Sequence, residues 1–273
     1  MSLARFGKNT NKMNITLKGK TALVGGSSKG IGKAIALQLA ASGASVTVMA
    51  RNENDLKTVV SQMDTTQGQK HSYLLVDFSN FTSLNKVLTQ FFKENTIDVL
   101  VNNTQGPEGG GALEKKVTDY QQAFDLLFKS VVLTTELALQ HMQENQWGRI
   151  INVASISVKE PLNYLALSNS IRAAVVTWAK SLSVDVGKDN ITVNNVLTGY
   201  FDTDRIASLN AKKAEKMGVS QEDVRGEMEA RVPAGRIGNP EEYGFLVTFL
   251  ASDKAAYING INIPIDGGLL KSL

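Results

Sequence analysis

The chain has 273 residues, 42% of them hydrophobic, and carries 29 basic and 26 acidic residues for a formal net charge of +3. The hydrophobic content predicts a globular protein, and so mild a charge does not indicate nucleic-acid binding. Because the sequence has no cysteine and only two histidines, it excludes disulfides and a cysteine nucleophile, and we expect no metal site.

The sequence has none of the features of a membrane or secreted protein. No apolar run reaches about 18 residues, the length that crosses a bilayer. Residues 1–14 are polar and basic, without the apolar segment of a secretory signal. We therefore expect a cytoplasmic protein without membrane contact. Residues 1–16 are predicted to form a flexible tail, and residues 17–273 a single domain, since no repeat or linker divides them.

Short apolar runs alternate along the chain with segments of helical spacing. Several runs are β-branched on both faces, as in a parallel sheet covered by helices on both sides. Ile31, Ile35 and Leu39 are four residues apart, and Gly43 follows where a helix would end. This order predicts an α/β fold with a doubly wound parallel sheet. The predicted strands are 21–24, 45–50, 73–76, 99–101, 150–153, 191–196 and 261–263.

A glycine-rich turn joins the first strand to the first helix. Gly26, Gly30 and Gly32 have the spacing Gly-x-x-x-Gly-x-Gly, without the Lys-Ser/Thr ending of a nucleoside triphosphatase loop. Such a turn brings bare backbone and a helix N-terminus close to a pyrophosphate. We therefore predict a dinucleotide site, with a purely structural turn as the alternative. The other residues of the turn that we expect to contact the cofactor are Ser28, Lys29 and Ile31.

The residue at the end of the second strand favours NADP(H) over NAD(H). An acidic residue about 20 positions after the turn binds a ribose 2′-hydroxyl in NAD-dependent proteins. Here Arg51 stands 19 residues after Gly32, and a guanidinium suits a 2′-phosphate. Lys29 would add a second cation. The alternative is that both side chains are merely solvated.

Two irregular segments follow predicted strands. Segment 105–111 contains four glycines and one proline, and segment 202–231 is polar and partly helical in spacing. Ligands of open α/β sheets bind at the carboxyl ends of the strands. These segments are therefore candidate substrate walls or lids, or else solvated surface loops.

Besides the glycine turn, further motifs lie at 76–77, 101–103, 148–155, 194–199, 235–242 and 266–268. Together these motifs, spread over residues 18–270, resemble the short-chain dehydrogenase/reductase family, and within it the 3-oxoacyl-acyl-carrier-protein reductase-like group. The resemblance implies a seven-stranded Rossmann sheet, a nicotinamide cofactor and a homotetramer or homodimer. It also implies that Asp77 and Phe78 lie by the adenine, Asn103 and Thr104 by the adenosine ribose, and Phe201 and Thr203 by the nicotinamide or pyrophosphate.

The catalytic positions depart from the family pattern of Ser, Tyr-x-x-x-Lys and Asn. Ser155 matches the serine, but Ser168 stands at the tyrosine position and Arg172 at the lysine position. Leu127 stands at the asparagine position. A serine hydroxyl is a much weaker acid than tyrosine, and an arginine stays charged and relays no proton. Loss of a general acid typically lowers a rate by about 10²–10⁴-fold.

These residues leave three hypotheses. The first is an active NADPH-dependent reductase of a small-molecule or carrier-bound carbonyl, in which Ser155, Ser168 and Arg172 stabilise the developing oxyanion. The proton then comes from water or from Tyr164, whose alternative role is an aromatic wall. Arg172 alternatively holds the nicotinamide ribose, or a carboxylate or phosphate of the substrate. The second hypothesis is an NADP(H)-binding sensor or partner subunit with impaired catalysis. The third is a structural protein that binds no nucleotide.

Overall fold

The structure is a computed structural model that describes residues 13–272. Of the predicted tail 1–16, residues 1–12 lie outside the described residues, as does residue 273. In the described range, seven parallel strands form one sheet in the order β3-β2-β1-β4-β5-β6-β7. The strands are β1 (Thr21–Gly25), β2 (Ser45–Ala50), β3 (Ser72–Leu75), β4 (Val99–Asn102), β5 (Gly148–Val153), β6 (Ile191–Thr198) and β7 (Asn262–Ile265).

Helices connect successive strands. One long helical segment is interrupted by a π-helical turn, Asp125–Lys129, between α4 and α5. The helices are α1 (Gly30–Ala41), α2 (Glu53–Gln62), α3 (Phe81–Glu94), α4 (Val117–Phe124), α5 (Ser130–Glu144), α6 (Ala166–Val186), α7 (Asp204–Met217), α8 (Gln221–Arg231) and α9 (Pro240–Ala251).

Two hydrophobic clusters cover the two faces of the sheet. Neighbouring residues of β1 point to opposite faces, so Val24 belongs to one cluster and Leu23 to the other. The first cluster includes buried residues of α1, α2 and α9, and the second includes those of α3, α5 and α6. This arrangement confirms the predicted doubly wound α/β fold. It also places all strand ends that precede the predicted ligand loops at one edge of the sheet.

The predicted strand positions are confirmed to within one or two residues at either end. The first helix ends near Gly43 as predicted, because this glycine has a φ of +97°, a left-handed conformation that L side chains rarely adopt. Segment 202–231 forms α7 and α8, while segment 105–111 contains no helix. In the part of the chain that the structure describes, no helix has the length and apolar character needed to cross a bilayer.

A ladder of asparagine side chains crosses the sheet at paired positions of four strands. Asn102 donates to Asn152 at 2.9 Å, Asn152 donates to Asn195 at 2.9 Å, and Asn195 donates to Asn262 at 2.8 Å. The second N–H of Asn102 donates to Thr135 of α5 at 3.0 Å. Since the first three asparagines are buried, each amide satisfies a partner that has no access to water. The ladder therefore fixes the register of β4 to β7 just below the carboxyl edge.

We expect Asn152→Ala to lower the free energy of unfolding by about 2–4 kcal/mol, because it leaves a buried acceptor on Asn195 and a buried donor on Asn102 without a partner. Urea denaturation measures the change. Asn54→Ala, at an exposed position of α2, is the control and should change stability by no more than about 0.5 kcal/mol. Equal stability of the two variants would contradict the structural role of the ladder.

Candidate active site

The glycine turn lies against the loop that follows β4. Gly26 and Gly30 have φ values of +53° and +57°, which favour glycine over other residues. The side-chain amide of Asn103 donates to the carbonyls of Gly25 and Gly26 at 3.0 and 3.2 Å. A Cβ on Gly26 would lie 3.0 Å from that amide nitrogen, and a Cβ on Gly32 would collide with the carbonyl oxygen of Gly26. The turn thus tolerates no side chains at these positions and exposes its backbone.

Helix α1 begins directly behind this turn with an N-terminus open to an anion. Its N-cap residue, Lys29, makes no side-chain cap hydrogen bond, and the first turn contains no acidic residue. The first backbone N–H groups of the helix are therefore without intrahelical partners. The ammonium of Lys29 forms an exposed ion pair with Asp204 at 3.0 Å, which links the turn to the start of α7. Ser28 and Ile31 lie beside it, both partly exposed.

Arg51, the residue predicted to bind a 2′-phosphate, directly follows β2, as expected from its sequence position. Arg51 is exposed and donates to the side-chain oxygen of Gln105 at 2.8 Å. Asp77 accepts hydrogen bonds from the hydroxyl and backbone N–H of Ser79. The hydroxyl of Ser79 foremost, and also the charge of Arg51, lower the pKa of Asp77. The structure thus brings Arg51 and Asp77 into one neighbourhood.

Two small cavities lie along the carboxyl edge of the sheet, and Thr104 lines both. We call this edge, between the glycine turn and segment 105–111, the cleft. Buried Phe78 lines the first, between the ends of β1 and β4, together with Gly25 and Asn103. Arg172 and Leu127 line the second, between the ends of β4 and β5. Leu127 belongs to the π-helical turn, a deviation that occurs frequently at functional sites.

The two residues predicted near the nicotinamide or pyrophosphate, Phe201 and Thr203, have different surroundings. Thr203 is the N-cap of α7, and a Cβ on Gly30 would lie 3.3 Å from its methyl group. Phe201 is buried and packs edge-to-face on Tyr243, with ring centroids 5.3 Å apart. Its side chain therefore belongs to the core, and only its backbone is available to a ligand.

Arg172 connects the end of β5 to helix α6. Its Nη1 donates to the carbonyl oxygen of Val153 at 2.6 Å, and its Nε donates to the hydroxyl of Ser168 at 3.3 Å. Burial lowers the pKa of Arg172, the nearby Tyr243 opposes this, and the positive charge of Arg205 lowers the pKa further. The predicted i, i+4 relation of Ser168 and Arg172 is thus a direct hydrogen bond.

The other two predicted catalytic residues, Ser155 and Tyr164, form no hydrogen bond with Ser168 or Arg172. Ser155 is the N-cap of a short 3-10 turn, and its hydroxyl accepts from the backbone N–H of Ser157 at 3.1 Å. Tyr164 is about half exposed, with 48% of its surface accessible. Burial of part of the ring foremost, and the neighbouring Tyr200, raise the pKa of Tyr164 to about 12. Tyr164 is therefore a weak acid that keeps its proton throughout the neutral range.

Sequence reasoning missed three residues that shape the site. The buried hydroxyl of Ser27 donates to Val24 O and accepts from the N–H of Met49, which fastens the glycine turn to two strands. Buried Tyr243 contacts Thr198 at 3.0 Å beneath the cleft. Arg205 of α7 donates to the carbonyl of Pro107 at 2.9 Å and so links α7 to segment 105–111. Only Ser27 could have been found locally, as a polar residue within a glycine motif.

The geometry fits the diphosphate of a dinucleotide. The turn has no room for Cβ atoms, the N-terminus of α1 lacks a side-chain cap and acidic residues, and Arg51 supplies a cation one strand away. Each of these features favours a phosphate group close to the backbone. No cluster of three or more potential metal ligands occurs in residues 13–272.

Comparisons with known proteins agree with this geometry. The model of a family described as enoyl-(acyl carrier protein) reductase matches residues 26–270. The 3-oxoacyl-(acyl-carrier-protein) reductase of Aquifex aeolicus is 30% identical over 94% of this chain and 100% of its own length. The NADPH-dependent reductase BacG of Bacillus subtilis is 30% identical over 93% of this chain and 99% of its own.

A solved structure supports the same assignment. L-sorbose reductase from Gluconobacter frateurii, complexed with NADPH and L-sorbose, has a TM-score of 0.88 and 28% identity, covering 96% of this chain and 100% of its own. Family model, relatives and fold coincide over nearly the whole chain. As the sequence motifs predicted, the chain therefore belongs to the short-chain dehydrogenase/reductase family.

Proposed function

We propose that this protein is an NADP(H)-dependent oxidoreductase that reduces a carbonyl group, or oxidises the matching alcohol, within a single domain spanning residues 17–273. The observation that carries the proposal is the uncapped N-terminus of α1 behind a turn without space for Cβ atoms. The relatives described above, a 3-oxoacyl-(acyl-carrier-protein) reductase and an NADPH-dependent reductase, support both the cofactor and the reaction.

Different residues of the cleft would bind different parts of the cofactor. The backbone of Gly26, Gly30 and Gly32 and the first turn of α1 would hold the diphosphate. Arg51 would bind the 2′-phosphate, with Lys29 adding a positive charge. We assign the adenosine part to Asp77, Phe78, Asn103 and Thr104, and the nicotinamide end to Thr203 and the backbone of Phe201.

The chemistry requires a hydride and a proton. When bound, NADPH supplies a hydride to the carbonyl carbon. In our proposal the hydroxyl of Ser155 donates a hydrogen bond to the carbonyl oxygen, while Ser168 and Arg172 stabilise the negative charge that develops there. Because arginine does not give up its proton, the proton has to come from another group. The two candidates are water and Tyr164, whose hydroxyl is protonated throughout the neutral range but is a weaker acid than an ordinary tyrosine because its pKa is raised to about 12.

The substrate would lie between two walls, segment 105–111 and helices α7 and α8. The hydrogen bond from Arg205 to Pro107 O already joins these walls. A carbonyl of the 3-oxoacyl kind, free or carrier-bound, is the substrate class that the reactions of the curated relatives suggest.

One observation favours a second function. The hydroxyl of Ser168 already accepts a hydrogen bond from Arg172, and the tyrosine, lysine and asparagine positions of the family hold Ser168, Arg172 and Leu127. These replacements would suit a catalytically impaired NADP(H)-binding sensor or partner subunit. Binding of NADPH without turnover of any carbonyl would favour this function over the reductase.

We also propose a homodimer or homotetramer, as the family resemblance implies. Phe124 and Phe128 stack with ring centroids 4.9 Å apart, and Trp178 of α6 packs edge-on against Phe128. All three rings are only partly buried in the single chain, and Val184 of α6 is exposed. A second copy covering this face would remove the remaining apolar surface from water.

The cofactor preference has a direct test. We expect Arg51→Ala to weaken NADPH binding by about 10–100-fold, because it removes a charge-assisted hydrogen bond to the 2′-phosphate. NADH binding should change by less than about threefold, since NADH lacks that phosphate. Fluorescence titration measures both. Lys93→Ala, at an exposed position of α3, is the control, and equal weakening of NADPH and NADH binding by Arg51→Ala would contradict the assignment.

The role of Ser155 is tested by a substitution that removes only its hydroxyl. We expect Ser155→Ala to lower kcat by about 10²–10³-fold, because a donor to the developing oxyanion is lost. The dissociation constant of NADPH should stay the same. Stopped-flow measurement of NADPH oxidation, paired with cofactor titration, separates the two effects. An unchanged kcat in Ser155→Ala would show that Ser155 takes no part in the mechanism.

The proton donor is tested by Tyr164→Phe and by pH. The variant should lower kcat by about 10²-fold or more if the hydroxyl is the general acid. A tyrosine acid loses its donating form as pH rises through its pKa, and the pKa of Tyr164 is raised to about 12. In the unchanged protein, kcat should therefore not fall up to about pH 10, where an ordinary tyrosine is half deprotonated. Full activity of Tyr164→Phe would show that the ring serves only as an aromatic wall of the cleft.

A further inference from the structure

The arginines of the described residues fall into two groups by their partners. Away from the cleft, Arg149, Arg225 and Arg236 each have a carboxylate oxygen within ion-pair distance, at 3.7, 2.9 and 2.6 Å. The other arginines have no such carboxylate within residues 13–272. These unpaired arginines are Arg51, Arg172, Arg205 and Arg231, of which Arg231 is exposed at the end of α8. Because Arg51 is assigned to the 2′-phosphate, the arginines left to explain are Arg172, which is only partly exposed, and Arg205, whose Nη2 is held at Pro107 O.

Arg172 is the more demanding of the two because its side chain is only partly exposed and its guanidinium is held inside the protein at the end of β5. Its hydrogen bonds go to a backbone carbonyl, Val153 O, and to a hydroxyl, that of Ser168. Its Nη2 donates no hydrogen bond to any described residue, and the side chain lines a cavity with aliphatic Leu127 and Val175. Taking a charge out of water without an opposite charge costs free energy that neutral acceptors repay only in part.

Arg205 increases this cost. Its Nη2 donates to Pro107 O, in segment 105–111, and its positive charge acts on Arg172. Two guanidinium groups that repel one another and share no carboxylate make the cleft a place where an anion is favoured. An arginine with a free N–H edge also suits a carboxylate by geometry.

We propose that the substrate carries its own carboxylate, and that this group lies against Arg172 with Arg205 as the second cation. This inference rests on the proposed reductase function and specifies its substrate. Since Nε of Arg172 hydrogen-bonds the hydroxyl of Ser168, which we assign to the carbonyl oxygen, the two groups of the substrate lie close together. The substrate class is therefore a 2-oxo or 3-oxo acid, and the product is the corresponding hydroxy acid. A thioester of a 3-oxo acid has no charge at this position.

The experiment compares matched substrates with the full chain and NADPH. Pyruvate and acetoacetate are each tested against their methyl esters, and acetoacetate also against a neutral thioester. We expect kcat/KM for the acids to exceed that for the esters. Arg172→Met should reduce this acid-to-ester ratio by about 10–100-fold. Arg172→Lys should retain part of the ratio, because the charge stays while the planar N–H edge is lost.

A second readout does not depend on turnover. Malonate, an unreactive dicarboxylate, should bind the NADP(H)-loaded protein in calorimetry and should bind Arg172→Met at least about 10-fold more weakly. The NADPH affinity of the variant, measured in the same way, should stay within about threefold, which excludes a folding defect. Arg236→Met removes an exposed arginine that is already paired with Glu242 and is the control.

Three results would overturn the inference: esters reduced as well as acids, a loss in Arg172→Met that is equal for both, or malonate binding that the substitution does not change. Failure of the proposed function looks different. If NADPH binds but no carbonyl is reduced, the reductase is wrong, while weaker malonate binding by Arg172→Met would still support an anion site at Arg172.

Discussion

The close approach of Asn103 to the backbone of Gly25 and Gly26 is the constraint on which the cleft depends. The amide of Asn103 bridges both carbonyls, and Cβ atoms on Gly26 or Gly32 would displace it or the turn. This contact joins the loops after β1 and β4, the two neighbouring strands between which the chain changes direction across the sheet. A crevice opens at such a point, because the connections that leave the two strands run to opposite faces. The glycine spacing is therefore a packing requirement as well as a phosphate-binding feature.

Below this edge, polar groups stabilise the sheet without reaching the cleft. In the asparagine ladder, the side-chain amides on β4, β5 and β6 hydrogen-bond one another. Because these amides are satisfied, they are poor candidates for ligand binding although two of them line a cavity. The groups at the edge that still have a donor to offer are the hydroxyls of Ser155 and Ser168, which accept hydrogen bonds from the protein, and the guanidinium groups that have no carboxylate partner. The chemistry of the site thus differs from the chemistry of the sheet that supports it.

Arg172 illustrates how one substitution can change a site while the fold stays the same. A lysine at this position would present a single ammonium, whereas the guanidinium reaches the end of β5 and the hydroxyl on its own helix at once. The side chain therefore stabilises the junction of β5 and α6 and still has an N–H edge to offer. Its lack of an acidic partner is the physical basis for the anionic substrate that we propose.

The sequence by itself determined the positions of the strands, the glycine turn and the position of Arg51, because periodicity and glycine spacing act through local backbone geometry. Predicted strand 73–76 and observed Ser72–Leu75 differ by a single residue. The amino-acid sequence also identified Ser168 and Arg172 as neighbours, since a helix brings residues four apart together.

Only the tertiary structure decided which groups are satisfied and which are free. The bond from Arg172 to Val153 O spans 19 residues, and the bond from Arg205 to Pro107 O spans 98. The aromatic side chain of Phe201, predicted at the ligand, packs in the core against Tyr243. Such contacts depend on how helices and loops from distant parts of the chain meet at one edge of the sheet. No local pattern encodes them, because side-chain partners are chosen by distance in space and not by spacing along the chain.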